Sequence, residues 1–398
     1  MVFQMNKELQ NHIKQRASEL FDEVKSIREY LHQHPELSYQ EFETMKFVKS
    51  RLDEYGIKNT SGVGDTGVVG YISNGDDSYC IGLRADLDAL PIFEQNEVSY
   101  RSQKDGIMHA CGHDVHTSIL LGAAKILNEL KEQLPHSIKL IFQPGEEKNP
   151  GGATYMIRDG VLHNPQVRSM YALHVFPELD AGELGLKKGL YMASCDEIHL
   201  TINGVGGHAA TPHKCIDPIV IGSGLILELQ QVISRKCDPK IPSVLSFGHF
   251  EALGATNVIP DKAIIKGTFR TMDEPWRANA LELIEKFIHS YSETMGATVD
   301  LEISKGYPVL INHEELTDKL NTRLKNYFGD DKIHNLPIRL SSEDFSFYSQ
   351  EIPVSFFRLG VKNEKMGIVY GVHHPKFDID PLSLKVGIQA MCVAAFEE

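Results

Sequence analysis

The sequence predicts an α/β fold, a mixed sheet flanked by helices, with a smaller α+β (ferredoxin-like) domain inserted into it. Three observations predict it. Strand-like and helix-like runs alternate through the first part of the chain, which indicates a sheet covered by helices. The middle changes character, to four strands and two long helices. The first pattern then resumes past Gly306. With 398 residues the chain exceeds one ordinary core, so two domains are expected, 1–188 with 306–398, and 189–305. No internal repeat and no low-complexity segment is present.

In chain order, Leu20, Phe21, Val24, Ile27 and Leu31 recur at helical spacing until Pro35 ends the run. A second helix fits 41–55, closed by Gly56. Residues 67–72 and 78–83 read as strands, 116–130 as helix, 137–142 as strand, 153–159 as a short helix and 169–174 as strand. In the insertion, 196–202 alternates like a half-exposed strand and 218–232 reads as helix. Residues 243–250 and 263–270 are strands, 276–295 a long helix and 298–303 a strand. Gly189 and Gly306 stand near its ends as plausible hinges.

Hydrophobic residues make up 42% and charged residues 24%, the composition of an ordinary globular protein. The formal net charge of −14 comes from 40 basic and 54 acidic residues, which argues against nucleic acid or anionic membrane as the main partner. No signal-length apolar run follows Met1-Val2-Phe3-Gln4-Met5-Asn6-Lys7, and none is long enough to span a bilayer, so a cytoplasmic protein is expected. The cysteines, Cys80, Cys111, Cys195, Cys215, Cys237 and Cys392, are scattered singly with no CxxC pair. Reduced, mostly buried thiols are the expectation for all but Cys111.

The densest chemistry is His109-Ala110-Cys111-Gly112-His113-Asp114-Val115-His116, in a loop opening a helix. An isolated histidine is more often structural than a ligand; three His, one Cys and one Asp in eight residues reverse that weighting. A thiolate and an imidazole two apart can converge on one ion, with Gly112 turning the backbone between them. Asp114 is placed to orient a ligand imidazole from behind. Gln143-Pro144-Gly145-Glu146-Glu147 follows a strand, so one glutamate can bind metal while its neighbour faces a reacting water as base. A solvated acidic turn is the bland alternative. Position weakens it, because open α/β sheets place sites beyond strand ends and His174 ends the next strand. One of His373 and His374 can close the site. Asp86 and Asp88, past another strand, either anchor ligands or cap the strand end, readings of equal weight.

Gly204-Val205-Gly206-Gly207-His208-Ala209 fits a dinucleotide-binding pattern, but Pro212 and Pro218 interrupt the helix it requires. No G-x-S-x-G elbow is present, which removes the usual serine hydrolase. Cys111 as a covalent nucleophile stays open, although the neighbouring histidines and Glu147 favour a metal-bound thiolate.

Taken together, these residues resemble the M20 metallopeptidase family, in the branch of hippurate hydrolases, auxin-conjugate hydrolases and N-acetyl-diaminopimelate deacetylases. The resemblance runs through Leu31-His32-Gln33-His34-Pro35-Glu36-Leu37-Ser38, residues 84–90, 109–114, 143–147, Gly151-Gly152-Ala153, 206–212, 257–261, 267–270 and Ser342-Glu343-Asp344-Phe345. It implies Cys111, His113, Glu147, His174 and His373 as metal ligands, His373 because the family's histidine lies two before the proline. It implies Glu146 as general base, His208 as a contact to the transition state, and Asn257 and Arg270 near the substrate's polar end. The family's fold is a catalytic α/β domain with an inserted α+β domain that often dimerises. Gly145 departs from the alanine common in relatives and leaves both glutamates in place.

The expected activity is therefore hydrolysis of the amide bond of N-acyl amino acids. Two divalent ions (Zn, Mn, Co or Ni) about 3.5–4 Å apart would share a water, with Cys111 the candidate bridge because five ligands are few for two ions. Glu146 would carry the proton from water to leaving amine, His208 would stabilise the oxyanion and Arg270 would hold the substrate carboxylate. The alternatives are a dipeptidase or aminopeptidase on the same scaffold, or a non-catalytic metal- or peptide-binding relative.

Overall fold

The computed structural model describes residues 5–397 and divides the chain into two compact units. Of the N-terminal stretch read above, residues 1–4 lie outside the described residues.

The first unit comprises Met1–Gly189, Ile311–Pro337 and Asp344–Glu398. It is built on an eight-stranded mixed sheet, the architecture that the sequence predicts. The strand order is Lys58–Val63, Gly67–Ile72, Ser137–Gln143, Cys80–Asp86, Val167–Asp180, Val354–Lys362, Leu184–Leu186 and Ile333–Asn335. The four central strands are mutually parallel. Cys80–Asp86 and Ser137–Gln143 are buried at every position, as expected of parallel strands covered on both faces. His113–Glu129 and Leu382–Ala395 pack on each other and on this sheet, and both are buried nearly all round because their sequences are apolar on every side.

Register positions the site. Asp86 pairs with Gln143 at the ends of their strands, and Arg84 pairs with Ala172, so His174, two residues further on, reaches the same level as Asp86. Three chains therefore leave the sheet together at the carboxyl ends of parallel strands, where α/β folds place their sites.

The second unit comprises Leu190–Leu310 and Ile338–Glu343. Its antiparallel sheet has the order Ser243–Glu251, Lys262–Thr271, Asp196–Asn203, Thr298–Lys305, packed with helices Pro218–Gln231 and Glu274–Thr294. Leaving aside a short ribbon, the chain order is βαββαβ with the first strand between the third and fourth, the ferredoxin-like arrangement. Ile198, Leu200, Ile202, Leu225, Ile265, Phe269, Ile284 and Ile288 form a core of its own. Both helices start from an aspartate cap with proline in the first turn, Asp217 accepting from Ile219 N–H and Asp273 from Trp276 N–H.

Several local readings change. The first helical run divides at Leu20 into Lys7–Glu19 and Phe21–Gln33, which lets Leu9, Ile13 and Ala17 reach the same core as Val24, Ile27 and Leu31. Lys58–Val63 is an edge strand with no buried position, hence no apolar signal in its sequence. The helix after the His/Cys cluster begins at His113, so His113 and His116 share its first turn. At Gly306, Asp196 accepts the N–H at 3.2 Å and Arg277 donates to the carbonyl at 3.0 Å. All six cysteines are free, but only Cys80, Cys111 and Cys392 are buried. Cys195, Cys215 and Cys237 are half-buried because they lie in the small unit, with its higher surface-to-volume ratio.

Candidate metal centre

Backbone geometry brings the cluster together. Gly112 has φ 82°, and a Cβ there would lie 2.6 Å from Val175 Cγ2, so the close turn between Cys111 and His113 requires glycine. His113 Nδ1 donates to Asp88 Oδ1 at 3.1 Å, and its Nε2 is buried with no hydrogen-bond partner among the described residues. His174 Nδ1 donates to Val175 O at 2.7 Å, which leaves Nε2 facing Cys111 Sγ at 3.4 Å. His373 adopts φ 64°, unusual for a residue with a side chain, and its N–H donates to Ala110 O at 2.8 Å. Its Nε2 lies 3.2 Å from Glu147 Oε1. His374 turns elsewhere, its ring stacked on Tyr370 and its Nδ1 accepting from Lys376 N–H.

Two triads of donor atoms result, each within 4.8 Å: Cys111, His113 and His174, and Cys111, Glu147 and His373. They share Cys111. Glu146 adjoins them in a third group with His113 and Glu147. In a fourth group, Asp86, His113 and His116, the atoms of Asp86 and His116 are already engaged. His116 Nδ1 donates to Asp86 Oδ1 at 2.6 Å and its Nε2 accepts from Val175 N–H at 2.9 Å, while Arg84 donates to Asp86 Oδ2 at 2.7 Å. By contrast, among the described residues His113 Nε2 is buried with no hydrogen-bond partner and buried Glu147 Oε1 has the 3.2 Å approach of His373 Nε2 but no hydrogen bond of proper geometry; an ion satisfies such atoms.

Asp88 organises the centre. Besides His113, its carboxylate accepts from Glu146 N–H at 3.0 Å, Glu147 N–H at 2.9 Å and Ser38 Oγ–H at 2.6 Å. Burial raises its pKa, and the hydrogen bond from His113 leads the contacts that outweigh it and hold it below the usual carboxylate range. Burial likewise opposes the ionised form of Asp86, but His113, His116 and Arg84 hold it well below. Burial would lower His113, yet Asp86, Asp88 and Glu147 push it up to about 10. Burial, then Glu147, Glu146 and Asp86, pushes the Cys111 thiol well up. Burial, then His116 and Arg358, holds His174 well down, in its neutral, ligating form.

Asp114 does not orient His113. It accepts from Arg28 Nε and His32 Nδ1, both at 2.8 Å, and Asp88 is the partner of His113. Sequence reasoning assigned no role to Arg84, which donates to Gln143 at 3.0 Å, to Asp86 and to Asp344 at 2.8 Å. Asp344 also accepts from Ala153 N–H at 3.0 Å, and its own N–H reaches Glu146 Oε1 at 3.4 Å. The alternation of charged and apolar residues at 84–88 was the available signal.

In the second unit, Gly207–His208 pairs with Val258–Ile259, and Ala209 N–H donates to Asn257 O at 3.0 Å, so His208 and Asn257 are neighbours. His208 Nδ1 accepts from Ala210 N–H at 3.0 Å, which in the neutral ring puts the proton on Nε2. Arg270 donates through Nη1 to Leu340 O at 3.0 Å.

Residues 82–396 match the profile of peptidase family M20/M25/M40. The chain is 36% identical over 388 residues to thermostable carboxypeptidase 2 of Saccharolobus solfataricus, covering 97% of this chain and 98% of that one. It is 38% identical over 385 residues to an IAA-amino acid hydrolase (ILR1-like 5) of Arabidopsis thaliana, covering 96% and 87%. A crystal structure from Bacillus subtilis, described as a dinuclear metal-binding peptidase from the M20 family, superposes with a TM-score of 0.79 at 31% identity, covering 95% and 98%. The chain belongs to peptidase family M20/M25/M40. It is a hydrolase of C–N amide bonds, which sets aside the non-catalytic alternative.

Proposed function

We propose that this protein hydrolyses the amide bond of N-acyl amino acids and short peptides, with two divalent ions held by Cys111, His113, His174, Glu147 and His373. The observation that carries the reading is the pair of donor triads sharing Cys111, with Glu146 beside them. The donor set fits such ions. Thiol, imidazole and carboxylate together suit Zn, Mn, Co or Ni, and the Nδ1 bonds of His113 and His174 leave each Nε2 for ligation. The carboxylates that push the Cys111 thiol up would be offset by a cation, which favours the thiolate. When bound, the ions would polarise the scissile carbonyl and acidify a water.

Glu146 is the residue that moves the proton. It takes one from the attacking water and delivers it to the departing nitrogen; the C–O bond forms, the C–N bond breaks, and a carboxylate and an amine leave. The Asp344 N–H at Oε1 and the Asp88 bond to its own N–H hold it in place. His208, its proton on Nε2, supplies a donor for the developing oxyanion. Arg270, steadied by Leu340 O, binds the substrate carboxylate, and Asn257 contributes beside His208. Asp86 stiffens the site through His116 and Arg84. Both relatives named above, a carboxypeptidase and an amino-acid-conjugate hydrolase, support a substrate in which the acylated amino acid keeps a free carboxylate.

A cytoplasmic homodimer formed through the second unit completes the reading. Ser243–Glu251 is an edge strand, and Val220, Leu227 and Phe250 are exposed apolar residues of that unit. The test is release of free amine from a panel of acylated amino acids, dipeptides and their carboxamides, run with each metal and after chelation. Metal-dependent cleavage of the acids, with the carboxamides poor, is expected. Full activity in verified metal-free protein would overturn the reading.

A further inference from the structure

Glu41 stands just before the helix Phe42–Glu54, where an acidic side chain ordinarily caps the helix. It does not cap this one. The N–H groups of Glu43 and Thr44 are accepted instead by Glu36 Oε2, at 3.0 and 2.8 Å. The Glu41 carboxylate, fully buried, turns to a partner 104 residues away: its Oε1 accepts from Gly145 N–H at 2.8 Å, and its Oε2 accepts from Thr66 Oγ1–H at 2.6 Å.

Gly145 opens the turn that carries Glu146 and Glu147, and its φ of 59° is in the left-handed region. The next two N–H groups go to the two oxygens of Asp88. Three successive amides of this turn are thus fixed by two buried carboxylates, each anchored in turn by a hydroxyl, Thr66 on Glu41 and Ser38 on Asp88. Successive N–H groups of this kind form a nest for anions, and here the chain fills it with its own side chains. Tyr39 holds the far end of the same loop, donating to Lys148 O at 2.7 Å and accepting from Gly151 N–H at 3.1 Å.

We propose that Glu41 is a positioning residue for the catalytic base: by fixing Gly145 N–H it sets the direction in which Glu146 leaves the turn. The proposal rests on the reading of Glu146 as base. The two carboxylates divide the work. Asp88 contacts His113 and Glu147 N–H and so bears on the metal ligands; Glu41 contacts neither and bears on the start of the turn.

The test compares Glu41→Ala and Glu41→Gln with the wild type, all metal-loaded. Metal content, kcat and KM on a cleaved N-acyl amino acid, and amide hydrogen exchange over residues 144–148 are measured. Glu41→Ala is expected to lower kcat by about 10–100-fold, the scale of a small misplacement of a reacting group. KM and metal content should stay near wild type while exchange in the turn rises. Glu41→Gln can still accept from Gly145 and, with the Thr66 hydroxyl rotated, donate to it, so it should recover most of the lost kcat and the slow exchange. Should Glu41→Ala not fold, Glu41→Asp, one methylene shorter, carries the same expectations. Unchanged exchange, unchanged kcat, or a loss confined to metal content overturns the proposal. A wild type inactive on every substrate with every metal overturns the amidohydrolase reading instead, and exchange still reports whether Glu41 fixes the turn.

Discussion

Replacing Asp88 by asparagine changes one atom and disturbs four hydrogen bonds. In one orientation the new amide NH2 faces Glu147 N–H, two donors with no acceptor between them, while the Ser38 hydroxyl can rotate to accept. In the other it faces both His113 Nδ1 and Glu146 N–H, and His113 can then restore its bond only by shifting its proton to Nε2, the ligating atom. Leaving one buried N–H unsatisfied costs about 1–3 kcal/mol. Losing the carboxylate behind a metal-bound histidine lowers metal affinity about 10–100-fold, which is about 1.4–2.7 kcal/mol. The two routes agree in size. Metal affinity is to be measured by competition with a chromophoric chelator, and kcat at saturating metal. Asp88→Asn should bind metal at least about tenfold more weakly and lose kcat even when saturated. An affinity within about threefold of wild type would refute the role given to Asp88, since that lies below the range of such losses.

Glu146→Gln should keep its metal and lose turnover by about 10²–10⁴-fold, whereas Glu147→Gln should lose metal occupancy; reversed phenotypes, read by elemental analysis and kinetics, would mean the roles are swapped. His208→Ala should retain fold and metal content while kcat falls by about 10²-fold or more; recovered activity on mixing it with Glu146→Gln chains would show that subunits share a site, and heterodimers without recovery would show that they do not. His32 donates to Asp114 at 2.8 Å and lies 3.2 Å from Glu94. Burial and Arg28 oppose its charge, but the two carboxylates raise its pKa above 6.5. Its stabilising contribution is therefore full below the unfolded value and lost as pH rises through the folded one, so the wild type's margin over His32→Gln in denaturant midpoint should be larger at about pH 6 than at about pH 9; a margin that grows with pH would contradict this.

The cluster at 109–116 was legible because its density has no packing explanation, and the glutamates because they follow a strand. What the sequence hid was pairing across the fold. Asp114 is adjacent to His113 in the chain, but neighbours on a helix do not face the same way, so it meets Arg28 and His32 while an aspartate 25 residues upstream meets His113. Glu41 was concealed by a plausible local role at a helix start, which Glu36 fills instead. His373 and His374 are indistinguishable by residue type, and only the backbone, with φ 64° at His373, turns one to Glu147 and the other to Tyr370. Residues 338–343 carry no pattern that joins them to the second unit. They do so through backbone bonds, Ala193 N–H donating to Arg339 O and Ser341 O, and Arg339 N–H to Tyr191 O, which no side-chain sequence records.

The carboxylates of the centre fall into two kinds, and the distinction explains why so acidic a cluster can be buried. Asp86, Asp88 and Asp344 are saturated by arginine, imidazole, amide and hydroxyl donors, and they serve as rigid acceptors that fix other groups. Glu147 keeps a buried oxygen with no hydrogen bond among the described residues, and Glu146, met by Asp344 N–H at Oε1, stands beside it. Together with a thiol pushed up by burial and by those same glutamates, they form a negative pocket. Divalent ions would complete it, and binding would have to displace the Cys111 proton. Metal affinity should therefore climb with pH, because each ion captured must release that proton or one from a neighbouring imidazole. The three aspartates give the site its shape and the two glutamates its chemistry, and the same strand ends deliver both.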